Sequence, residues 1–519
     1  MKRRISVIGG GPAGMFAAML LAHDHPDWEL RVFERLPPSD TFGFGVGLTP
    51  ALLAAVAEEA PPVHDDLMEA SSAFSSAAFN LPAGRVELPR SHAGAISRAR
   101  LLQLLLDRAE EAGVEVEIGA SPTVDDLRGD ADLVIAADGV SSTTRETMAA
   151  ELGASEEIGR GLFIWCGAPI ELEGNIFTPV ETDAGLFVSH AYPYAEGLST
   201  FVIETDERAL ESAGCRTQDE VFSDDGDSDE ASLTYLSGAF EELLGGASFI
   251  GNRSRWMNFK TVRCERWHTG NVVLLGDAAA TAHPSLGSGT KLALEAAIAL
   301  RHAMEGVVDT PPAERLPAFE KGLRPSVERL QERAHRSQLW WESFGTRLHL
   351  SPARIAAAYM SRAGAVSLEQ LQTSAPTLAR QAAADFAGVA ADEPPADDLS
   401  DWVLHRPLSV NGHSLPGRIL ENGPAEEALR VPVACGDAWG PDAQAVIDRV
   451  AAVRHEGDRL VALTGDDSRA ALLDRLALGE RIRTELQVPV AVSSPKSRLE
   501  DAIDGLIAGR ADLVEIEGS

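Results

Sequence analysis

The apolar positions of the chain change period several times, and each change predicts an element. Ile5, Ser6, Val7 and Ile8 form a short run rich in β-branched residues, which predicts a buried strand. Residues 15–21 are apolar on every side, as at the start of a buried helix, and residues 29–33 predict a second strand. Residues 97–112 carry the helical period, with Ser97 expected as the N-cap. Arg98 in that first turn opposes the helix dipole, which points to a facing anion. Val114, Val116 and Ile118 alternate with glutamates, while residues 133–137, and residues 271–275 after the polar Asn271, are apolar runs of buried-strand type.

From about residue 161 to 258 the period falls to two, in runs at 162–165, 186–192 and 198–203, which predicts an inserted, mostly antiparallel sheet. The acidic run 223–230 lacks the glutamate that closes a calcium loop and reads as a solvated loop. Long helical patterns fill residues 312–386, and paired prolines among acids at 391–401 read as a linker. In the last hundred residues, strand-like runs at 429–434, 460–463, 488–492 and 512–516 alternate with helical patterns. That is a βαβ series, a small parallel sheet or a partial barrel.

Composition narrows the classes. The 519 residues suffice for two to four domains, and the net charge of −34 argues against nucleic acid and anionic membrane surfaces as partners. Cys166, Cys215, Cys264 and Cys435 match no metal or redox spacing and read as free thiols of a cytoplasmic protein. No run reaches the length of a membrane span, and no metal site is expected.

The chemistry begins at Gly9-Gly10-Gly11-Pro12-Ala13-Gly14, between the first strand and helix. Gly9, Gly11 and Gly14 serve a tight turn, close approach of a pyrophosphate and helix–strand packing, and the helix N-terminus offers its N–H groups. Glu34, twenty positions after Gly14, stands where an acid holds ribose hydroxyls, with Arg35 next to it. Gly43, Gly45 and Gly47 alternate with apolar residues, as backbone packed against something flat or as an ordinary loop. Two further motifs follow: Asp138-Gly139 with Ser142 and Arg145, and Gly276-Asp277 leading to Pro284-Ser285-Leu286-Gly287-Ser288-Gly289.

In this order and spacing the three motifs resemble the single-component aromatic hydroxylases of the para-hydroxybenzoate hydroxylase type, over roughly residues 1–345. The resemblance implies a Rossmann-type FAD-binding domain (1–160 and 259–345) carrying a substrate-binding sheet (161–258). A helical segment and linker (346–400) and a small α/β domain (401–519) complete the α/β fold. It implies FAD held by Gly9, Gly11, Pro12, Ala13, Gly14, Glu34, Arg35, Arg98, Asp138, Gly139 and Asp277. Pro284 would line the flavin near its reactive edge, with Leu286, Gly287, Ser288 and Gly289 at the pyrimidine end. NADH or NADPH and oxygen would be co-substrates, acting through a flavin C4a-hydroperoxide. Ala280 and Lys291 depart from the common pattern, and Gly-Ser-Gly-Thr-Lys-Leu-Ala (287–293) is similar to a narrower group of violacein-pathway and aryl-CoA hydroxylases.

Residues 407–419 and 508–514 resemble the opening and closing strands of an old yellow enzyme barrel, and about a hundred residues between them leave a shortened remnant. This layout is similar to that of salicylyl-CoA 5-hydroxylases and 2-aminobenzoyl-CoA monooxygenase/reductase. The substrate it implies is an aryl-CoA thioester, with salicyloyl-CoA to gentisyl-CoA the best single pair. The alternatives are a free or carrier-tethered aromatic intermediate, and a flavin-holding scaffold without activity. A homodimer is an open option. Trp165, His190, Tyr192 and Trp256 are candidates to line the ring pocket, with His283 at its mouth and His190 poising a phenol proton. Plain core packing is the competing reading for each aromatic residue. Arg253, Arg255, Lys260 and Arg263 are candidates to meet coenzyme A, or else form a solvated face.

Overall fold

The structure, a computed structural model, describes residues 2–89, 93–215, 227–307, 310–410, 413–420, 428–453 and 460–517. It falls into two compact units, residues 1–77 with 90–338, and residues 78–89 with 339–519.

The first unit is built on a six-stranded sheet in the order His268–Thr269, Val272–Leu274, Leu133–Ala136, Arg4–Ile8, Glu29–Glu34, Glu115–Ile118. The two-residue edge strand is antiparallel and all other neighbours are parallel. Val7, Val32, Val134, Ile135 and Val273 are fully buried, because helices cover both sheet faces. Helix Pro12–Asp24 buries ten of its thirteen residues, so it has no solvated stripe and is held by packing. Each such buried Leu or Phe contributes about 2 kcal/mol. Ser97 occupies the N-cap position of helix Arg98–Glu111 but makes no side-chain cap bond, contrary to expectation.

Five strands of the seven-stranded second sheet form the insert, antiparallel and in the order Met257–Cys264, Ala154–Ala168, Leu198–Thr205, Gly185–Ala195, Gly174–Thr182. Its outer strands begin before residue 161 and run beyond residue 258. One face, with Leu162, Ile164, Cys166, Phe187, Phe201 and Ile203, forms a closed core with helices Glu207–Ser212 and Glu230–Ala239. Register places Phe163, Glu204 and Val188 in one row of the other face, and Trp165, Val202, His190 and Phe177 in the next. Of the acidic run, residues 223–226 lie outside the described residues. Asp229 is buried and caps helix Glu230–Ala239, so this end of the run is structural.

In the second unit, strands Leu429–Pro432, Val461–Thr464, Val490–Ser494 and Leu513–Ile516 pair in parallel and in chain order. Helices Pro441–Val453, Arg469–Leu486 and Leu499–Ile507 alternate with them. Helices Pro352–Ser361, Leu368–Ser374 and Pro376–Ala387 share the same apolar core, through Ala353, Leu371, Ala379 and Ala382. The compact unit therefore takes in residues that the sequence assigns to a separate helical segment. Residues 411 and 412 of the barrel-like opening lie outside the described residues; Leu408–Val410 and His413–Leu415 pair as a hairpin. The four cysteines are free, and Cys166, Cys264 and Cys435 are buried. Among the described residues no helix is long and apolar enough to cross a membrane, and no cluster of ligating side chains fits a metal.

Candidate cofactor groove and aromatic cleft

The glycine loop lies at the carboxyl end of the central strand, and its three glycines have different surroundings. Gly9 has φ +96°, and a Cβ there would overlap the carbonyl oxygen of Ala137. A Cβ on Gly14 would overlap the carbonyl of Gly9, which keeps helix and strand in close contact. A Cβ on Gly11 would meet nothing within 4 Å, so the chain is bare where a phosphate would approach the helix N-terminus. Ala13 abuts Gly276, joining the first motif to the third.

Glu34 ends the second strand and is fixed by backbone: its carboxylate accepts from Gly10 N–H at 2.6 Å and from Leu36 N–H at 2.9 Å. Asp277 is reached by solvent yet closely surrounded by protein, as on the floor of a groove. That enclosure pushes its carboxyl above the ordinary value, against the pull of Arg98 and Arg145. Enclosure likewise lowers Arg98, against the pull of Asp277 and Glu34. Arg98 is thus within electrostatic reach of both acids, Glu34 and Asp277, which are distant from it in sequence. The open space at Gly11 and this polar groove fit a dinucleotide.

Asp138 is engaged within its own turn. Its carboxylate accepts from Ser142 Oγ at 2.5 Å and Thr144 N–H at 3.1 Å, locking its own turn. Gly139, at φ +81°, lets the chain turn there. Arg145 is buried and donates to the carbonyls of Ala278 and Val140 and to Glu156. Pro12 is half-buried, and Arg35, Pro284, Gly287 and Gly289 are exposed. Leu286 is half-buried and Ser288 buried, before the sixteen-residue helix Gly289–Met304.

The site-facing side of the inserted sheet is a wall of rings. Phe163 and Phe259 stack at 3.9 Å with 6° between their planes, and Phe259 meets the His283 ring edge-on at 4.2 Å. Trp165 donates from Nε1 to Thr200 Oγ1 at 2.6 Å, and Tyr192 donates to the Gly45 carbonyl at 3.0 Å. His190 Nε2 lies 3.3 Å from Glu204 Oε1, an ion-pair distance without hydrogen-bond alignment. The loop containing Gly43 and Gly45 closes on this wall. A Cβ on Gly43 would overlap Trp165, and one on Gly45 would overlap Tyr194. Asn252 clips the loop by donating to the carbonyls of Thr41 and Gly43. The flat surface behind these glycines is therefore aromatic side chains of the same chain.

Several expected site residues are placed elsewhere. Trp256 is fully buried on the opposite face of the sheet, against Phe187, with Nε1 donating to Ser232 Oγ. It belongs to the core that Leu233, Leu236 and Phe240 form with the sheet. His283 is buried rather than at a mouth; its Nδ1 accepts from Ser285 N–H and caps the turn Pro284–Leu286. Arg255 is buried with Nε donating to the Asp227 carbonyl, so it offers no surface cation. Arg253 is half-buried at φ +56°; Lys260 and Arg263 pair with Glu156 and Glu157. Sequence reasoning missed Phe163, Phe259, Glu204 and Asn252. Only Glu204 leaves a trace, as a lone acid in a strand with the alternation of Thr200 and Val202.

A nucleotide loop on a parallel sheet, an enclosed polar groove and a ring-lined second sheet define a flavin-dependent enzyme of aromatic substrates. A family model described as an FAD binding domain matches residues 89–334. The chain is 32% identical to salicyloyl-CoA 5-hydroxylase of a Streptomyces species, over 98% of this chain and 99% of that one. It is 38% identical to 3-hydroxy-4-methyl-anthranilyl-[aryl-carrier protein] 5-monooxygenase of Streptosporangium sibiricum, over 71% of this chain and 97% of that one. The fold matches 2-methyl-3-hydroxypyridine-5-carboxylic acid oxygenase with TM-score 0.51 and 20% identity, over 70% of this chain and 96% of that one. The chain belongs to the FAD-dependent aromatic hydroxylases and is a monooxygenase that uses FAD.

Proposed function

We propose that this enzyme hydroxylates the ring of an aryl-CoA thioester, with salicyloyl-CoA to gentisyl-CoA as the specific pair. The carrying observation is the charge of the ring-lined face. The rows Phe163–Glu204–Val188 and Trp165–Val202–His190–Phe177, with Thr200 and Tyr192, contain an acid and neither lysine nor arginine. A free benzoate would meet Glu204 as a like charge, with only the His190 imidazole, itself 3.3 Å from Glu204, to offset it. An acyl thioester carries no charge at that position. The names of the two relatives support the same class, an aromatic acyl group held on coenzyme A or on a carrier protein.

Bound FAD, reduced by NADH or NADPH, supplies the oxygen transfer. Gly9, Gly11, Gly14, Glu34, Arg98 and Asp277 would hold it, and the turn from His283 to Ser288 would face its ring. The chain's own work is to orient the aromatic ring against Phe163, Phe259 and Trp165, and to exclude water. The carboxyl-terminal unit is read as a shortened barrel without a second flavin, since its strands follow one another in chain order as in a barrel arc.

Turnover of salicyloyl-CoA against salicylate tests the reading; equal kcat/KM for the two would refute it. The 38% identity to a carrier-protein hydroxylase favours one second reading, an acyl group on a carrier protein, and the same assay with a carrier-loaded substrate separates the two.

A further inference from the structure

We infer that His190 and Glu204 are the proton-handling pair of the cleft, His190 accepting the proton of the substrate's ring hydroxyl and Glu204 positioning the imidazole. The inference rests on the aromatic-cleft reading above and adds a residue that sequence reasoning did not single out. His190 and Glu204 lie on neighbouring strands, one row apart, with their side chains 3.3 Å from each other and both buried. Register sets Glu204 opposite Phe163, whose ring stacks on Phe259, which in turn meets the turn that bears Pro284. Phe177 meets the imidazole edge-on from the other side at 5.2 Å. Glu204 thus lies one strand, and His190 two strands, from Phe163 on the same face of the sheet.

Burying an ionisable pair costs desolvation that two apolar residues would not incur. The sheet does not need the pair, because the closed core of Phe187, Phe201 and Ile203 is on the other face. Other titratable groups nearby are poor acceptors. Burial raises the Tyr192 phenol, which keeps its proton and donates to Gly45. Glu181 is exposed at the far end of strand Gly174–Thr182. Strands Gly45–Leu48, Ser72–Phe74 and Ala93–Ser97 carry no ionisable side chain, and helix Glu207–Ser212 packs on the opposite face.

The step balances. The O–H bond of the ring hydroxyl breaks, its electron pair stays on oxygen, and an N–H bond forms on the imidazole. Glu204 compensates the imidazolium charge. The electron-rich ring then takes one oxygen of dioxygen: the O–O bond breaks as the C–O bond forms, and the second oxygen leaves as water with the two electrons that NADH or NADPH supplies through the flavin. The attacked carbon loses its hydrogen to water as aromaticity returns, and the imidazolium returns its proton to the ring oxygen.

The test uses the FAD-loaded full chain with salicyloyl-CoA, and the variants His190→Gln, Glu204→Gln, Glu204→Asp and the double replacement H190F/E204M. His190→Gln and Glu204→Gln should lower kcat roughly 30-fold or more while KM changes less than about threefold, and Glu204→Asp should recover most of the loss. The double variant should keep FAD and its melting temperature while losing turnover. Nitrogen-15 titration of His190 is the readout that needs no substrate: Glu204→Gln should lower its pKa by about one unit. Turnover by Glu204→Gln within about twofold of wild type, or an unchanged His190 titration, overturns the pairing. Wild-type silence toward salicyloyl-CoA would refute the thioester reading and leave the pairing to be decided by the His190 titration.

Discussion

A methyl group on Gly43 would overlap the indole of Trp165, so backbone and ring are in direct contact across the edge of the cleft. Gly43 also has φ +79°, where any side chain is strained. Gly43→Ala should therefore cost about 2–4 kcal/mol, combining left-handed strain with overpacking. Urea midpoints of the FAD-loaded protein check this; a change under about 0.5 kcal/mol would show that the loop swings away without cost.

Gly11 and Gly14 should fail differently. Gly11 has φ −69° and open space beside it, so Gly11→Val should fold but weaken FAD at least about tenfold by blocking the phosphate approach. Gly14→Ala drives a methyl into the Gly9 carbonyl and should lower thermal stability of the flavin-free protein as well. FAD titration and melting curves separate the two. Equal loss of fold in both variants would contradict the separate roles.

Trp256 and Trp165 offer a second contrast. Trp256→Phe removes the donor to Ser232 Oγ in a closed core and should cost about 1–2 kcal/mol with KM unchanged. Trp165→Phe, on the site-facing side, should alter KM. A KM shift from Trp256→Phe alone would place that ring in the cleft after all.

Asp504 makes stability depend on pH. Burial raises its carboxyl to about 7, although Leu368 N–H donates to it at 2.7 Å. The folded chain keeps a proton that the unfolded chain loses near pH 4, so stability falls as pH rises from about 4 to 7 and then levels. Asp504→Asn keeps an acceptor for Leu368 and should be about 1–3 kcal/mol more stable than wild type at pH 8, with no gain at pH 4. Denaturation at the two pH values checks the sign; a gain at pH 4 alone would reverse it.

Removing residues 401–519 should not leave a tidy enzyme. The cut strips Leu463, Leu476, Val492, Ile503 and Val514 from the core they share with Ala353, Leu371 and Ala379. The shortened chain should aggregate on size-exclusion chromatography. A well-behaved monomer that binds FAD would show that the remaining helices hold themselves.

The nucleotide loop, its strands and the acid at position 34 were legible in the sequence because local rules govern them: period, turn glycines and fixed spacing. The carboxyl-terminal βαβ series was legible for the same reason, strand by strand. The sides of the inserted sheet were not. Alternation says that neighbours point apart, but only packing against helices Glu207–Ser212 and Glu230–Ala239 decides which side is core. That choice sends Trp256 inward and puts Trp165, His190 and Tyr192 on the face away from this core. Register alone could bring Glu204 to His190 and Phe163 to Phe259, and the tertiary fold alone could bring Arg98 within electrostatic reach of Glu34 and Asp277. Local sequence sets what each segment forms, whereas contacts between residues far apart in the chain, made by packing, set what meets in the cleft.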